Sequence, residues 1–301
     1  MRPSGVTLDD ARDFLEARGA VTDIAPVDQQ GMWSRAFRFR EHRRDLIIRF
    51  APDLETFDKD AFVARRAPPD LAVPEMVERG LVFDGHYAIT ERARGRMIDG
   101  LDGDGMRRVL PSVLRTLDAV RRIDLSDTHG YDLWDADGNG RHATWRHSVD
   151  VLDEAAGWRE RIAESPIGTL PFDRTLERVR MLSAYCPEER YLVHSDLLHF
   201  NVLVDGDQVS ALLDWGSSLI GDFVYDIAWL EFWKPWYPAW RHIDFAGEAL
   251  RHYASTGLAM PHFIERLRCY ELCIALSNMV WFASRDETID LERTARRAAE
   301  V

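Results

Sequence analysis

His194, Asp196 and Asn201 fall within the run YLVHSDLLHFNVLV, and Asp214 follows in LLDWG, thirteen residues after Asn201. The apolar residues around them suit a buried strand pair, where unpaired polar side chains are expensive. Two carboxylates and an amide gathered by one tight strand-turn-strand unit are hard oxygen ligands. That set suits Mg2+ carrying the phosphates of a nucleotide. The chemistry it implies is phosphoryl transfer. In HxDxxxxN sites the aspartate orients the acceptor hydroxyl and takes its proton, while the asparagine and the aspartate of a DxG turn hold the metal. Asp196 is therefore the candidate base, and Asn201 and Asp214 are the candidate metal ligands.

Phosphoryl transfer also needs a strand cation to grip the nucleotide. LIIRF offers Arg49, and lysine is nearly absent from the chain, with only Lys59 and Lys234 present. Arginine grips phosphate oxygens through two donors rather than as a point charge. On the following helix Asp58, with Asp60 as second choice, is placed to orient Arg49. In GMWSRAF, Gly31 and Ser34 bring backbone N–H groups and a hydroxyl to a turn entering a strand, where phosphate can approach. Neither GxxxxGK[ST] nor GxGxxG occurs, so the P-loop and dinucleotide folds lack their signatures.

The elements that must position these residues divide the chain in two. Thr7 with Asp10 opens a capped helix. RAFRFR, LIIRF and VFDGHYAIT alternate as antiparallel strands, with the helical stretch LETFDKDAFVARRA between the second and third. Beyond about residue 93 the pattern turns helical, at 106–123, 174–185, 222–233, 244–256 and 262–283, with one strand pair, 201–213, turning at DGDQ. The predicted class is α+β, two lobes about a cleft: an N-terminal nucleotide-binding lobe over 1–92 and a C-terminal catalytic and substrate-binding lobe over 93–301. The latter carries an insertion over 125–170. Asp135, Asp137 and Asn139 in that insertion imitate a calcium loop, but Arg146 stands where a bidentate Glu is required. A capped turn is the expectation there.

Bulk properties narrow the partners. The 301 residues are 46% hydrophobic and 30% charged, the composition of a folded globular protein. A net charge of −13 argues against nucleic acid and fits a cationic partner or simple solubility. No apolar run approaches a membrane span and the N-terminus lacks an apolar signal core, so the chain reads as cytoplasmic, without a membrane partner, and a monomer. Cys186, Cys269 and Cys273 do not suggest a disulfide framework. They read as small buried hydrophobes.

Together GMWSRAFRF, LIIRF, FDKDAF, AVPE, ATWR, CPEERYLVHSD, LLDWG, GDFVYDIA, FWKPW and RLRCY resemble the aminoglycoside phosphotransferase family, and within it the hygromycin B branch. The resemblance implies a protein-kinase-like fold, ATP or GTP with Mg2+ in the cleft, and an antibiotic hydroxyl as acceptor. It further implies that the backbone of Glu91 and Ala93 meets the purine. By the same likeness Asp226 braces the catalytic loop and His194 is a structural hydrogen-bonding residue. The chain departs from the family at Ser195 and at Leu198, His199 and Phe200, beside the reacting hydroxyl. Trp233 and Trp236 are candidate walls for the acceptor, His199 a candidate contact, and Glu231 a candidate partner for its ammonium groups. Two alternatives stay open: a kinase for another small hydroxyl acceptor such as choline, a sugar or another antibiotic, and a nucleotide-binding protein without transfer activity.

Overall fold

The computed structural model describes residues 4–152 and 157–301. Residues 153–156, inside the predicted insertion, lie outside the described residues. Helix α1 (Leu8–Glu16) precedes an antiparallel sheet of β1 (Val21–Pro26), β2 (Arg35–Glu41), β3 (Arg44–Ala51), β4 (Met76–Val82) and β5 (Gly85–Glu91). The spatial order is β1-β2-β3-β5-β4, with α2 (Glu55–Arg66) joining β3 to β4. Thr7 and Asp10 cap α1 reciprocally, the Asp10 N–H reaching Thr7 Oγ1 at 3.2 Å and the Thr7 N–H reaching Asp10 at 2.8 Å. Side chains alternate across the sheet. Phe37, Phe39, Leu46, Ile48, Phe50, Tyr87 and Ile89 pack with Ala11 and Leu15 of α1 on one face. Ala51 and Ala88 pack with Phe57 of α2 on the other. Arg49, between Ile48 and Phe50, is thereby turned toward α2.

The rest of the chain runs through β6 (Arg96–Met97), α3 (Gly103–Arg121), β7 (Tyr131–Trp134), β8 (Gly140–His142), α4 (Trp145–Asp150), α5 (Trp158–Glu164) and α6 (Thr169–Leu182). It continues through β9 (Tyr191–Val193), β10 (Val202–Asp205), β11 (Gln208–Leu212), β12 (Leu219–Gly221), α7 (Val224–Trp233), α8 (Phe245–Ser255), α9 (Phe263–Ala283) and α10 (Thr288–Glu300). The fold is two-lobed, an antiparallel sheet followed by a mainly helical half. α2 belongs to both cores, since its Phe62 and Val63 pack into the large helical cluster. The expected hairpin is present, β10 against β11, with β6 added to its edge. The expectation of one strand pair in the second half is corrected by a further sheet, β8-β7-β12-β9. Its strands are three or four residues long, too short for an alternating pattern to register.

In the insertion, Asp135 Oδ1 accepts the N–H groups of Asp137 and Asn139 at 3.0 and 2.9 Å, the capped turn that was expected. Gly138, at φ 87°, lies against Phe62 of α2, so the insertion braces that helix. All three cysteines are buried free thiols. Among the described residues, no helix is long and apolar enough to cross a membrane.

Candidate active site

The catalytic loop leaves β9 and is fastened from below by α7. Asp226 accepts the N–H groups of His194 and Ser195 at 3.0 and 2.8 Å, and burial pushes its carboxyl up to about 7 while those two bonds work the other way. The His194 ring lies against Trp215, 4.7 Å between centroids. Its Nδ1 faces the Asp196 N–H at 3.3 Å, so Nε2 carries the proton and donates to the Leu213 carbonyl at 2.9 Å. Full burial lowers its pKa and keeps it neutral. These contacts make His194 a strut, which suits the role the resemblance implied.

Asp196 then sits between two side chains. Asn201 Nδ2 donates to its carbonyl at 2.8 Å and to its Oδ2 at 3.0 Å, and His199 Nδ1 lies 3.0 Å from Oδ1. Ser195, His199 and Phe200 all have left-handed backbone, at φ 59°, 62° and 75°. Such conformations cost non-glycine residues about 1 kcal/mol or more each. Asp99, which sequence reasoning missed, offsets this. Its carboxylate accepts the N–H groups of His199 and Phe200 at 2.8 and 3.1 Å, a two-amide nest, and the Tyr237 hydroxyl at 2.6 Å. Burial and that carboxylate raise the Tyr237 phenol well above its usual value. Asp99→Ala leaves three donors unpaired. It is expected to lower stability by about 2 kcal/mol and kcat by about 100-fold through displacement of Asp196, read by denaturant titration and steady-state assay.

The candidate metal ligands come from the hairpin. The Leu213 N–H donates to the Asn201 carbonyl at 2.8 Å, which sets Asp214 beside Asn201. Burial raises the Asp214 carboxyl, Arg49 lowers it, and the nearby carboxylates of Asp60 and Asp196 raise it further. Carboxylates crowded in this way call for a cation. Among the described residues no three His, Cys, Asp or Glu side chains hold a metal site alone. Asn201 and Asp214 offer two oxygen donors, the hard kind that Mg2+ takes together with phosphate oxygens and water.

Arg49 is ion-paired to Asp60 and lies over the Phe57 ring at 5.1 Å. Burial opposes its charge, and Asp60 with Asp214 more than offsets that, holding the guanidinium above its ordinary value. The first-choice partner, Asp58, is corrected: it pairs with Arg79 of β4 instead. Helical phase decides, since Asp60 lies three residues after the buried Phe57 and shares its face, whereas Asp58 is turned toward Arg79 on β4.

Asp60 also accepts the Trp215 N–H at 3.0 Å, and its neighbour Lys59, 2% exposed at the side chain, donates to the Gly216 carbonyl at 3.0 Å. Helix α2 thus holds the loop that carries Asp214. Gly31 and Ser34 lie in the β1–β2 turn, where a Cβ on Gly31 would meet Ser34 Oγ at 2.9 Å. Glu91 ends β5 and pairs with Arg44 at 3.0 Å, and Ala93 lies in the linker to β6.

An aromatic floor adjoins Asp196. The His199 ring meets Trp233 edge-on at 4.8 Å and Trp229 at 6.1 Å, and the indole N–H groups of both tryptophans are buried without partners. Trp236 stands edge-on to Trp233 at 4.9 Å and carries Arg293 over its ring at 4.2 Å. Glu231 is a correction: its carboxylate is taken by Lys234 at 2.5 Å and by the Ala246 N–H at 2.9 Å. It is a strut from α7 to α8.

Behind Glu231, Glu271 pairs with Arg297, yet burial pushes its carboxyl up to about 7 against that pair. The folded state therefore keeps a proton that the unfolded chain releases near 4.5. Stability falls as pH rises between those values and levels off above about 7. In Glu271→Gln this loss is expected to vanish, so the melting temperature of the variant gains on wild type across that window, read by thermal melts at stepped pH.

Comparison with known proteins agrees with this geometry. The pattern of the APH phosphotransferase enzyme family matches residues 26–263. Hygromycin-B 4-O-kinase of Escherichia coli is 28% identical over 291 residues, covering 93% of this chain and 80% of that protein. The crystal structure of aminoglycoside phosphotransferase APH(4)-Ia superposes with a TM-score of 0.86 at 27% identity, over 98% of each chain. A thermostable mutant of that enzyme, in ternary complex with AMP-PNP and hygromycin B, gives 0.84 at 26% identity over 96% of each chain. With the kinase-like fold, the HxDxxxxN loop on its Asp226 strut and Asp214 on the adjoining hairpin, the chain belongs to the phosphotransferase enzyme family.

Proposed function

We propose that the protein transfers the γ-phosphoryl group of ATP or GTP to a hydroxyl of an aminoglycoside antibiotic of the hygromycin B type, and so confers resistance. The observation that carries this reading is the convergence of Asp196, Asn201 and Asp214 beside Arg49 where the two halves of the fold meet. Residues 1–92 act as the nucleotide-binding lobe and residues 93–301 as the catalytic and acceptor-binding lobe. Asp196 accepts the proton of the acceptor hydroxyl as that oxygen attacks phosphorus in line. Arg49, fixed by Asp60, grips phosphate oxygens, with Gly31 and Ser34 above them and the backbone of Glu91 and Ala93 at the purine. Asn201 and Asp214 would hold Mg2+, which would supply neutralisation of the phosphate charge. The acceptor rests on the floor of His199, Trp229 and Trp233, whose rings suit the C–H surfaces of a sugar. The surplus of negative charge steers polycations toward the protein.

His199 and the exposed Phe200, in the loop beside the reacting hydroxyl, favour a second reading in which the acceptor is another small hydroxyl compound. Incubation with ATP or GTP, Mg2+ and a set comprising hygromycin B, other aminoglycosides, a macrolide, choline and simple sugars separates the readings by mass spectrometry. A single added phosphate on hygromycin B is expected. Phosphate on a different member alone selects the second reading. Thermal stabilisation by nucleotide with no product at all points to a nucleotide-binding protein without transfer activity.

A further inference from the structure

Asp214 has left-handed backbone, at φ 57°, a conformation that a non-glycine residue keeps only where its surroundings hold it. Each of the three carbonyls that follow is taken by a side-chain donor. Ser218 Oγ donates to Trp215 at 2.5 Å, Lys59 Nζ to Gly216 at 3.0 Å and Ser195 Oγ to Ser217 at 2.5 Å. The three donors come from the end of the turn, from α2 and from the catalytic loop. Two are neutral hydroxyls. Lys59 is a buried ammonium, and a charged donor makes the stronger bond. Its other neighbours are the carboxylate of the exposed Glu55, at 3.4 Å, and the ring of Trp134, at 5.3 Å.

Trp134, buried at the end of β7, serves both ends of this arrangement. Its ring lies beside the Lys59 ammonium and packs on Phe62 of α2 at 4.9 Å, while its Nε1 donates to Ser218 Oγ at 3.0 Å. Gly216 leaves little slack, since a Cβ there would meet Thr56 Oγ1 of α2 at 3.1 Å and Asp214 Oδ1 at 3.2 Å. We propose that Lys59, braced by Trp134, is a positioning residue for Asp214. By holding the Gly216 carbonyl two residues on, it fixes the direction of that carboxylate and so sets how tightly a divalent cation and its nucleotide are bound. The inference rests on the reading of Asn201 and Asp214 as metal ligands. It also gives β7, a strand of the insertion, a task at the site. Side chains that orient metal ligands from behind change metal affinity by about 10- to 100-fold when removed.

Titration calorimetry of the full chain with a non-hydrolysable ATP analogue, once with Mg2+ and once with EDTA, tests this through the ratio of the two affinities. Mg2+ is expected to tighten the analogue on wild type. In Lys59→Met, which keeps an unbranched apolar stem, that tightening is expected to shrink by about tenfold while the affinity in EDTA stays within about twofold. Trp134→Phe keeps the aromatic wall, loses the donor to Ser218 and is expected to lose several-fold of the same tightening. Glu55→Gln, which leaves the Gly216 contact in place, is expected to match wild type. A Lys59→Met protein with a lower melting temperature and an unchanged ratio makes Lys59 a packing residue and overturns the inference, as do equal losses with and without Mg2+. A loss in Glu55→Gln as large as in Lys59→Met assigns the effect to charge alone and overturns it too. If Lys59→Met does not fold, Trp134→Phe and Ser218→Ala decide by the same ratio. A wild-type protein whose nucleotide affinity ignores Mg2+ overturns the metal role of Asn201 and Asp214, and the inference with it.

Discussion

Asp196→Asn is expected to lower kcat by about a thousandfold, within the range for removal of a general base, while the acceptor KM moves by no more than a few-fold. The variant keeps the shape and hydrogen-bonding reach of the side chain, including the approach of Asn201 at 3.0 Å, so binding and fold survive. What it loses is the proton acceptor, an interaction made in the transition state. The electrostatics give a second, opposite sign. Asp196 is one of the carboxylates that raise Asp214, so neutralising it relieves repulsion, and the melting temperature of the variant is expected to equal or exceed that of wild type. A variant with activity within tenfold of wild type would remove Asp196 from the role of base.

The largest expected loss of stability comes from Asp222. Its carboxylate is fully buried and receives Arg266 through two bonds of 2.8 and 2.6 Å, the Tyr270 hydroxyl at 2.7 Å and the Val224 N–H at 3.1 Å. Trp145 Nε1 donates in turn to that hydroxyl at 2.8 Å, which ties α4, α7 and α9 together. Asp222→Ala strands a buried guanidinium and is expected to cost about 4 kcal/mol, measured as a lower midpoint in urea. The double variant Asp222→Leu with Arg266→Met is expected to recover most of that loss, because replacing both partners removes the uncompensated charge. If the double variant is as unstable as the single one, packing rather than charge governs this junction.

The catalytic loop was legible because its chemistry is local. The spacing from His194 through Asp196 to Asn201 is set within one turn and its flanking strands, and the hairpin to Asp214 is short. Arg49 stood out as the strand cation in LIIRF, and strand alternation turns it toward α2. The choice of Asp58 over Asp60 failed although the signal was present, since Asp60 shares a helical stripe with Phe57. Asp99 left no such trace, because its partners are backbone amides a hundred residues away. The same holds for Glu231, whose use as a strut depends on the start of α8. Short β7, β8, β9 and β12 exist only because neighbours complete them, a tertiary effect that local propensity does not carry. α10 passed unnoticed because its buried side is narrow, formed by Leu291, Thr294 and Ala298.

One consequence of the α2 contacts concerns how the molecule answers to acylating reagents. Both of its lysines are engaged inside the protein, Lys234 by Glu231 and the Ile243 carbonyl, and Lys59 beneath the loop of Asp214. An amine-reactive dye can reach Lys59 only when α2 releases that loop. The rate of labelling at this one position, followed peptide by peptide, therefore clocks how often the turn of Asp214 comes loose.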